Sequence, residues 1–172
     1  MNRGTGMNRE PPGMAVHEAR MRLALRQAKL AAEAGEVPVG AVVYNGGELA
    51  GQAWNQTRML KDPTAHAEML AITQAASAAG DWRLVDSILY VTKEPCPMCA
   101  GAIVLARIPL VVWGMSDPQR GGAVSRFQIL QTAELNHRSE VLTGVLEAEC
   151  TALIKDFFKK RRLESKNDED FE

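Results

Sequence analysis

The fold turns on residues 87–113, SILYVTKEPCPMCAGAIVLARIPLVVW. Ser87 to Lys93 alternates as a β-strand does, and Leu110 to Trp113 is a second, short apolar strand. Between them, Cys96 to Arg107 reads as a helix whose first turn holds both cysteines of Cys96-Pro97-Met98-Cys99. Pro95 and Pro97 suit a helix entry and would break a helix interior. Strand, helix and strand in succession point to a sheet covered on both faces.

The flanking sequence extends the same alternation. Upstream, an alanine-rich helix is expected from Pro63 to Ala79, with Asp62 or Thr64 as its N-cap and Gly80-Asp81 as its stop. Before it, Val37 to Tyr44 and Leu49 to Trp54 flank Asn45-Gly46-Gly47, a strong short hairpin signal. Val16 to Ala34 is helical, with Met21, Leu25, Ala28 and Ala32 as its apolar stripe, Gly35 as its end and His17 as an exposed residue at its start. Downstream come a loop from Gly114 to Ser125, a weak helix around Phe127 to Gln131, a strand near Val141 and a final helix from Glu147 to Arg162, with Cys150 as a buried thiol. The expected organisation is one three-layer α/β/α domain over residues 15–164, preceded by a disordered arm (1–14) and followed by an acidic flexible tail (165–172).

Bulk properties narrow the function classes. A chain of 172 residues, 46% hydrophobic and 24% charged, has the material for one soluble core. Charges or prolines interrupt every apolar stretch before membrane-span length, and the N-terminal residues carry no apolar run, so no membrane span or secretory signal is expected and cytoplasmic residence follows. Three cysteines including a Cys-x-x-Cys pair suggest metal or redox chemistry ahead of a disulfide framework. Net charge −1 excludes a wholly basic nucleic-acid binder, although Lys155 to Lys166 carries a local positive excess.

Two segments carry the chemistry: Ala65-His66-Ala67-Glu68 and Pro95-Cys96-Pro97-Met98-Cys99. Cysteines three apart at a helix start lie on nearly the same side, so both sulfurs can reach one metal, and the helix N-terminus favours thiolates. His66 and Glu68 are two apart, roughly 200° on a regular helix, so the pair divides its labour: His66 toward the metal, Glu68 beside a position left for water. By itself Cys-x-x-Cys also fits redox chemistry, a structural zinc or two packed thiols. The ordered conjunction of His-x-Glu with Pro-Cys-x-x-Cys resembles the pattern of zinc nucleobase deaminases, which implies three protein ligands and the Glu as general acid/base.

On a longer set of residues the chain resembles the bacterial tRNA-specific adenosine deaminases. The carriers are Glu36-Val37-Pro38-Val39-Gly40-Ala41-Val42, Asn55, Asp62 to Glu68, Leu89-Tyr90-Val91-Thr92, Glu94 to Ala102, Asn136-His137-Arg138 and Asp156-Phe157-Phe158 with Arg161-Arg162. The resemblance implies a cytidine deaminase-like fold with a central mixed five-stranded sheet and one Zn2+ per subunit on His66, Cys96 and Cys99. It implies Glu68 as the proton shuttle and a substrate pocket of Asn55, Val39, Ala65, Pro95 and Asp117. It also implies a homodimer acting on a tRNA anticodon loop, with Arg120, Phe158, Lys160, Arg161 and Arg162 as RNA contacts. The chain departs from the family at Lys93, where an apolar residue is usual, and at Gln119, where a lysine is usual. The same zinc chemistry would serve a guanine or cytosine deaminase acting on a free base. A reading of another class is a non-catalytic, zinc-stabilised RNA-binding subunit, which has no use for Glu68.

Overall fold

The computed structural model describes residues 12–169, with side chains described through residue 165. Nine elements follow in order: α1 (Met14–Glu33), β1 (Gly40–Asn45), β2 (Glu48–Trp54), α2 (Ala67–Ala79), β3 (Ser87–Lys93), α3 (Pro97–Leu105), β4 (Leu110–Met115), β5 (Glu140–Thr143) and α4 (Glu147–Glu169). The strands form one five-stranded sheet in the order β2-β1-β3-β4-β5. The β1 strand is antiparallel to both β2 and β3, whereas β3, β4 and β5 run parallel. The mixed sheet of the expected α/β fold is therefore present, and α3 makes the crossover between parallel β3 and β4.

Period-two alternation sorts the sheet side chains into two cores. Ala41, Val43, Leu89, Val91, Val111 and Trp113 pack with Ala67, Ala71 and Ala75 of α2 and with Ala100, Ile103 and Val104 of α3. Their neighbours in sequence, Val42, Tyr90 and Val112, pack on the other face with Met21, Ala24 and Leu25 of α1 and Cys150 of α4. Small residues let the helices approach closely. A Cβ at Gly40 would lie 2.1 Å from the Ala24 carbonyl oxygen, so only glycine fits where α1 crosses β1. Burial of each large side chain here, such as Leu89 or Ile103, contributes about 1.5–3 kcal/mol.

Several boundaries differ from the sequence expectation. The α2 helix begins at Ala67 and not at Pro63: Asp62 Oδ1 accepts from the Thr64 N–H (2.8 Å) and hydroxyl (2.7 Å), closing a local turn and capping no helix. The N-cap is His66, whose backbone is extended (φ −73°, ψ 152°). No helix forms at 127–131, because the N–H groups of Phe127, Ile129 and Leu130 bond back to the carbonyls of Gly121, Gly122 and Ala123. His17 is buried, 5% exposed, with Nδ1 3.0 Å from the Tyr90 hydroxyl. The α1 helix lies directly on β3, and the buried phenol needs a polar partner there. Cys150 is buried as expected, which pushes its thiol up to about 12.

Of the expected arm, residues 1–11 lie outside the described residues, and Pro12-Gly13 leads straight into α1. The α4 helix continues past Arg162 to Glu169, taking in the start of the expected acidic tail, and residues 170–172 lie outside the described residues. Among the described residues no helix is long and apolar enough to cross a membrane.

The topology also decides where a site can sit. Because β1 runs against β3, the start of β1, the end of β2 and the ends of β3 and β4 share one edge of the sheet, with Gly40 opposite Trp54, Ala41 opposite Val91 and Lys93 opposite Met115. The segments around Glu36, Asn55, His66, Cys96 and Asp117 all leave the sheet at that edge.

Candidate metal and catalytic site

Two helix N-termini meet at this edge. His66 is the N-cap of α2 and Cys96 the N-cap of α3, and neither side chain caps its own helix, which frees ring and thiol to face each other. Cys99 lies in the first turn of α3 and is fully buried. One ligand atom from each of His66, Cys96 and Cys99 lies within 4.8 Å of the others, a set that could hold a metal ion. His66 Nδ1 is 3.5 Å from both sulfurs. Tetrahedral zinc with ordinary Zn–N and Zn–S bonds separates such a nitrogen and sulfur by about 3.6 Å, so the His66 ring stands from both sulfurs as that ion requires. Since His66 precedes α2 in extended backbone, the regular-helix angle between His66 and Glu68 does not apply. Glu68 is in the first turn of the helix that His66 caps, 3% exposed and against the Cys99 thiol of the ligand set.

The electrostatics suit metal capture. Cys96 accepts from the Cys99 thiol, and His66 adds to this against the effect of burial, drawing the Cys96 pKa down to about 4. The same bond, with burial, holds the proton on Cys99. His66 is raised by its contact with Cys96. A divalent cation held by both sulfurs would displace the Cys99 proton. Glu68 is pushed above the usual carboxylate range, first by burial.

Two further carboxylates, neither assigned a role by sequence, hold the loops on either side. Glu36, 1% exposed, accepts from the N–H groups of Arg58 (2.9 Å) and Met59 (2.7 Å), from the Thr57 hydroxyl (3.3 Å) and from Asn55 Nδ2 (3.3 Å). Glu94, 2% exposed, accepts from the N–H groups of Asp117 (2.8 Å), Val124 (3.0 Å) and Ser125 (2.8 Å) and from the Ser125 hydroxyl. The second loop also sits tightly on α3: Gly122 N bonds the Pro95 carbonyl (2.8 Å), and a Cβ at Gly122 would lie 2.3 Å from Pro97 N. The signal that could have found both glutamates is an acidic residue inside an otherwise apolar, strand-flanking run, since burial there demands several donors.

The other expected site residues fall into two groups. Asn55 (6% exposed), Ala65 (2% exposed), buried Pro95 and half-buried Val39 line the segments at the metal edge, where Asn55 N bonds the Val39 carbonyl (3.0 Å) and Gln56 N bonds that of Ala65 (3.0 Å). Asp117 joins them, with Oδ1 accepting from Gln119 N and Arg120 N and Oδ2 paired with Lys93. Arg120 is exposed on that loop. Phe158, Lys160, Arg161 and Arg162 are exposed on α4, which packs with α1 on the sheet face opposite α2 and α3. Phe157 is half-buried and meets Phe158 edge-on at 5.4 Å. Asn136, His137 and Ser139 act as a clamp: Asn136 accepts from Arg107, while His137 Nε2 (2.8 Å) and the Ser139 hydroxyl (2.7 Å) both meet the Ile108 carbonyl.

Known proteins place this arrangement. The MafB19-like deaminase family profile matches residues 15–162. The chain is 46% identical over 153 residues to a tRNA-specific adenosine deaminase of Bacillus subtilis (strain 168), covering 89% of this chain and 95% of the relative. It is 45% identical over 150 residues to the protein of the same name from Haemophilus influenzae, covering 87% of each. A solved structure from work on A-to-I editing by tRNA:A34 deaminases superposes with a TM-score of 0.76 at 41% identity, covering 78% of this chain and 98% of the other. On these matches the chain belongs to the MafB19-like deaminases and to the tRNA-specific adenosine deaminase family.

Proposed function

We propose that the protein hydrolyses the wobble adenosine of a tRNA anticodon to inosine, with one zinc ion held by His66, Cys96 and Cys99 and with Glu68 carrying the proton. The observation that carries this reading is the convergence of those three ligand atoms within 4.8 Å, with Glu68 buried in the first turn of the helix that His66 caps. Zinc held by three protein ligands supplies, when bound, a water acidic enough to attack near neutral pH. Glu68 takes a proton from the attacking water and passes one to the departing amine. A C6–O bond replaces the C6–N bond and ammonia leaves. A carboxyl raised by burial suits that exchange, because it holds a proton closer to working pH than an exposed glutamate does.

The remaining residues shape the substrate side. Asn55, Val39, Ala65, Pro95 and Asp117 form the pocket for a base splayed out of the anticodon loop, which must be read by edge contacts and stacking. Arg120 on the 117–125 loop, and Phe158, Lys160, Arg161 and Arg162 on α4, supply the RNA contacts. In this reading residues 15–164 are the catalytic domain, the working form is a cytoplasmic homodimer, and the local positive charge of α4 compensates for a net charge of −1.

The test is an anticodon stem-loop carrying a wobble adenosine, run in parallel with free guanine, cytosine and adenosine. Inosine in the stem-loop is the expected product. Ammonia from free guanine or cytosine with the stem-loop unmodified would replace this reading with a base deaminase. Stem-loop binding without ammonia from any substrate would make the chain a zinc-stabilised binding subunit.

A further inference from the structure

The loop after α1 holds a carboxylate that neither binds metal nor carries a proton in the proposed reaction. Glu36 is 1% exposed, and all four of its recorded bonds go to one short turn, residues 55–59. Oε1 takes the backbone N–H groups of Arg58 and Met59, which shapes the turn; Oε2 takes the Thr57 hydroxyl and the Asn55 amide nitrogen. Thr57 Oγ1 in turn lies 3.4 Å from the same Asn55 nitrogen, closing a three-membered ring of side chains. The turn is tied to the metal edge through Gln56 N on the Ala65 carbonyl (3.0 Å), one residue before His66.

A primary amide can present either its N–H2 or its carbonyl to a ligand, and the two ends are nearly isosteric. An ionised carboxylate only accepts. With Nδ2 directed to Glu36 and Thr57, the carbonyl end of Asn55 is the end turned away from that ring. We infer that Glu36 is a positioning residue which fixes the polarity and aim of the Asn55 amide. This rests on the reading of Asn55 as a substrate contact. A carboxylate that merely stabilised the turn would have no need to reach the Asn55 side chain.

The experiment combines kinetics and side-chain amide spectra of the zinc-loaded, full-length chain. Glu36→Gln keeps the shape but adds an N–H2 that competes for Asn55. Zinc content should be unchanged, the Asn55 side-chain 15N–1H signals should move and exchange faster, and kcat/KM on the stem-loop should fall by about 10- to 100-fold, the scale of a misaimed contact. In an Asn55→Ala background the same substitution should cost under about twofold, since coupled residues are non-additive. Losses that multiply, or Asn55 signals that stay put, overturn the inference. Should Glu36→Gln fail to fold, Thr57→Val removes the shared hydroxyl and must show the same signal shift and the same non-additivity in weaker form. A wild-type protein that leaves the stem-loop unmodified would sink the proposed substrate, while the Asn55 spectra would still decide whether Glu36 sets that amide.

Discussion

Glu68 and Glu94 are the same residue type with almost the same exposure, 3% and 2%, and their pKa values are pushed in opposite directions from the ordinary one. Burial raises both. In the first turn of α2, burial outweighs the opposing pull of Glu68's own N–H, of His66 and of the Cys99 thiol, so its pKa stays above the usual carboxylate range. At the end of β3, the Ser125 hydroxyl and the N–H groups of Asp117, Ser125 and Val124 outweigh burial and hold Glu94 below the usual carboxylate range. Burial alone therefore does not mark a proton carrier. The number of donors facing the carboxylate does: a group satisfied by four donors is fixed as an anion, and one buried with fewer can take up and release a proton. In the proposed reaction Glu68 carries the proton, whereas Glu94 holds the 117–125 loop against the cysteine-bearing helix.

The strongest way to break this contrast is to substitute Glu68. Glu68→Gln preserves size and removes the exchangeable proton. Turnover of the stem-loop should drop by about 10³-fold or more, while metal analysis shows one zinc per chain as in the wild type. Loss of zinc in this variant would mean that Glu68 is a ligand and that the contrast with Glu94 is misdrawn. The complementary change, Glu94→Ala, should act first on stability, because it strands three partly buried backbone N–H groups. A loss of about 3–4 kcal/mol is expected from urea unfolding, together with faster hydrogen exchange of Val124 and Ser125. Unchanged unfolding with a pure loss of turnover would give Glu94 a role in catalysis that its four bonds do not suggest.

How far the sequence reaches follows the same division. The cluster that could hold a metal was legible because it depends on residue types at short spacing: Cys96 and Cys99 one helical turn apart, His66 two residues before Glu68. Sheet and helices were legible because burial imposes its period on residues such as Val42 and Val43, which face opposite cores. The start of α2 was misplaced because Asp62 and Pro63 carry the chemistry of a helix entry yet spend it on a turn with Thr64. His17 was misread because its partner Tyr90 is far away in sequence and only the packing of α1 on β3 joins them. The roles of Glu36 and Glu94 were hidden for a further reason. Their donors are largely backbone N–H groups of distant loops, and a backbone donor leaves no trace in residue type.

The departure at Lys93 offers the smallest and sharpest test. Its ammonium pairs with Asp117 Oδ2, at side-chain exposures of 26% and 13%, on the loop that Glu94 anchors. Burial alone would raise Asp117, but Lys93 and the N–H groups of Arg120 and Gln119 hold its carboxyl below the ordinary value. A carboxylate depressed in the folded state lends stability that is complete above its unfolded pKa of about 3.9 and fades as pH falls through the lower folded value. Lys93→Leu removes the cation and puts an apolar side chain in its place. The folded pKa of Asp117 should then move back up, so the stability lost on acidification is lost at higher pH. Because the pair is partly solvated, the cost at neutral pH should stay under about 1 kcal/mol, and the readout is the acid-unfolding midpoint. An upward shift in Lys93→Leu that disappears in an Asp117→Asn background would assign the effect to this pair. An unmoved midpoint would mean that Glu94 and the backbone N–H groups hold the loop unaided, and that the contrast between fixed and free carboxylates ends at Glu94.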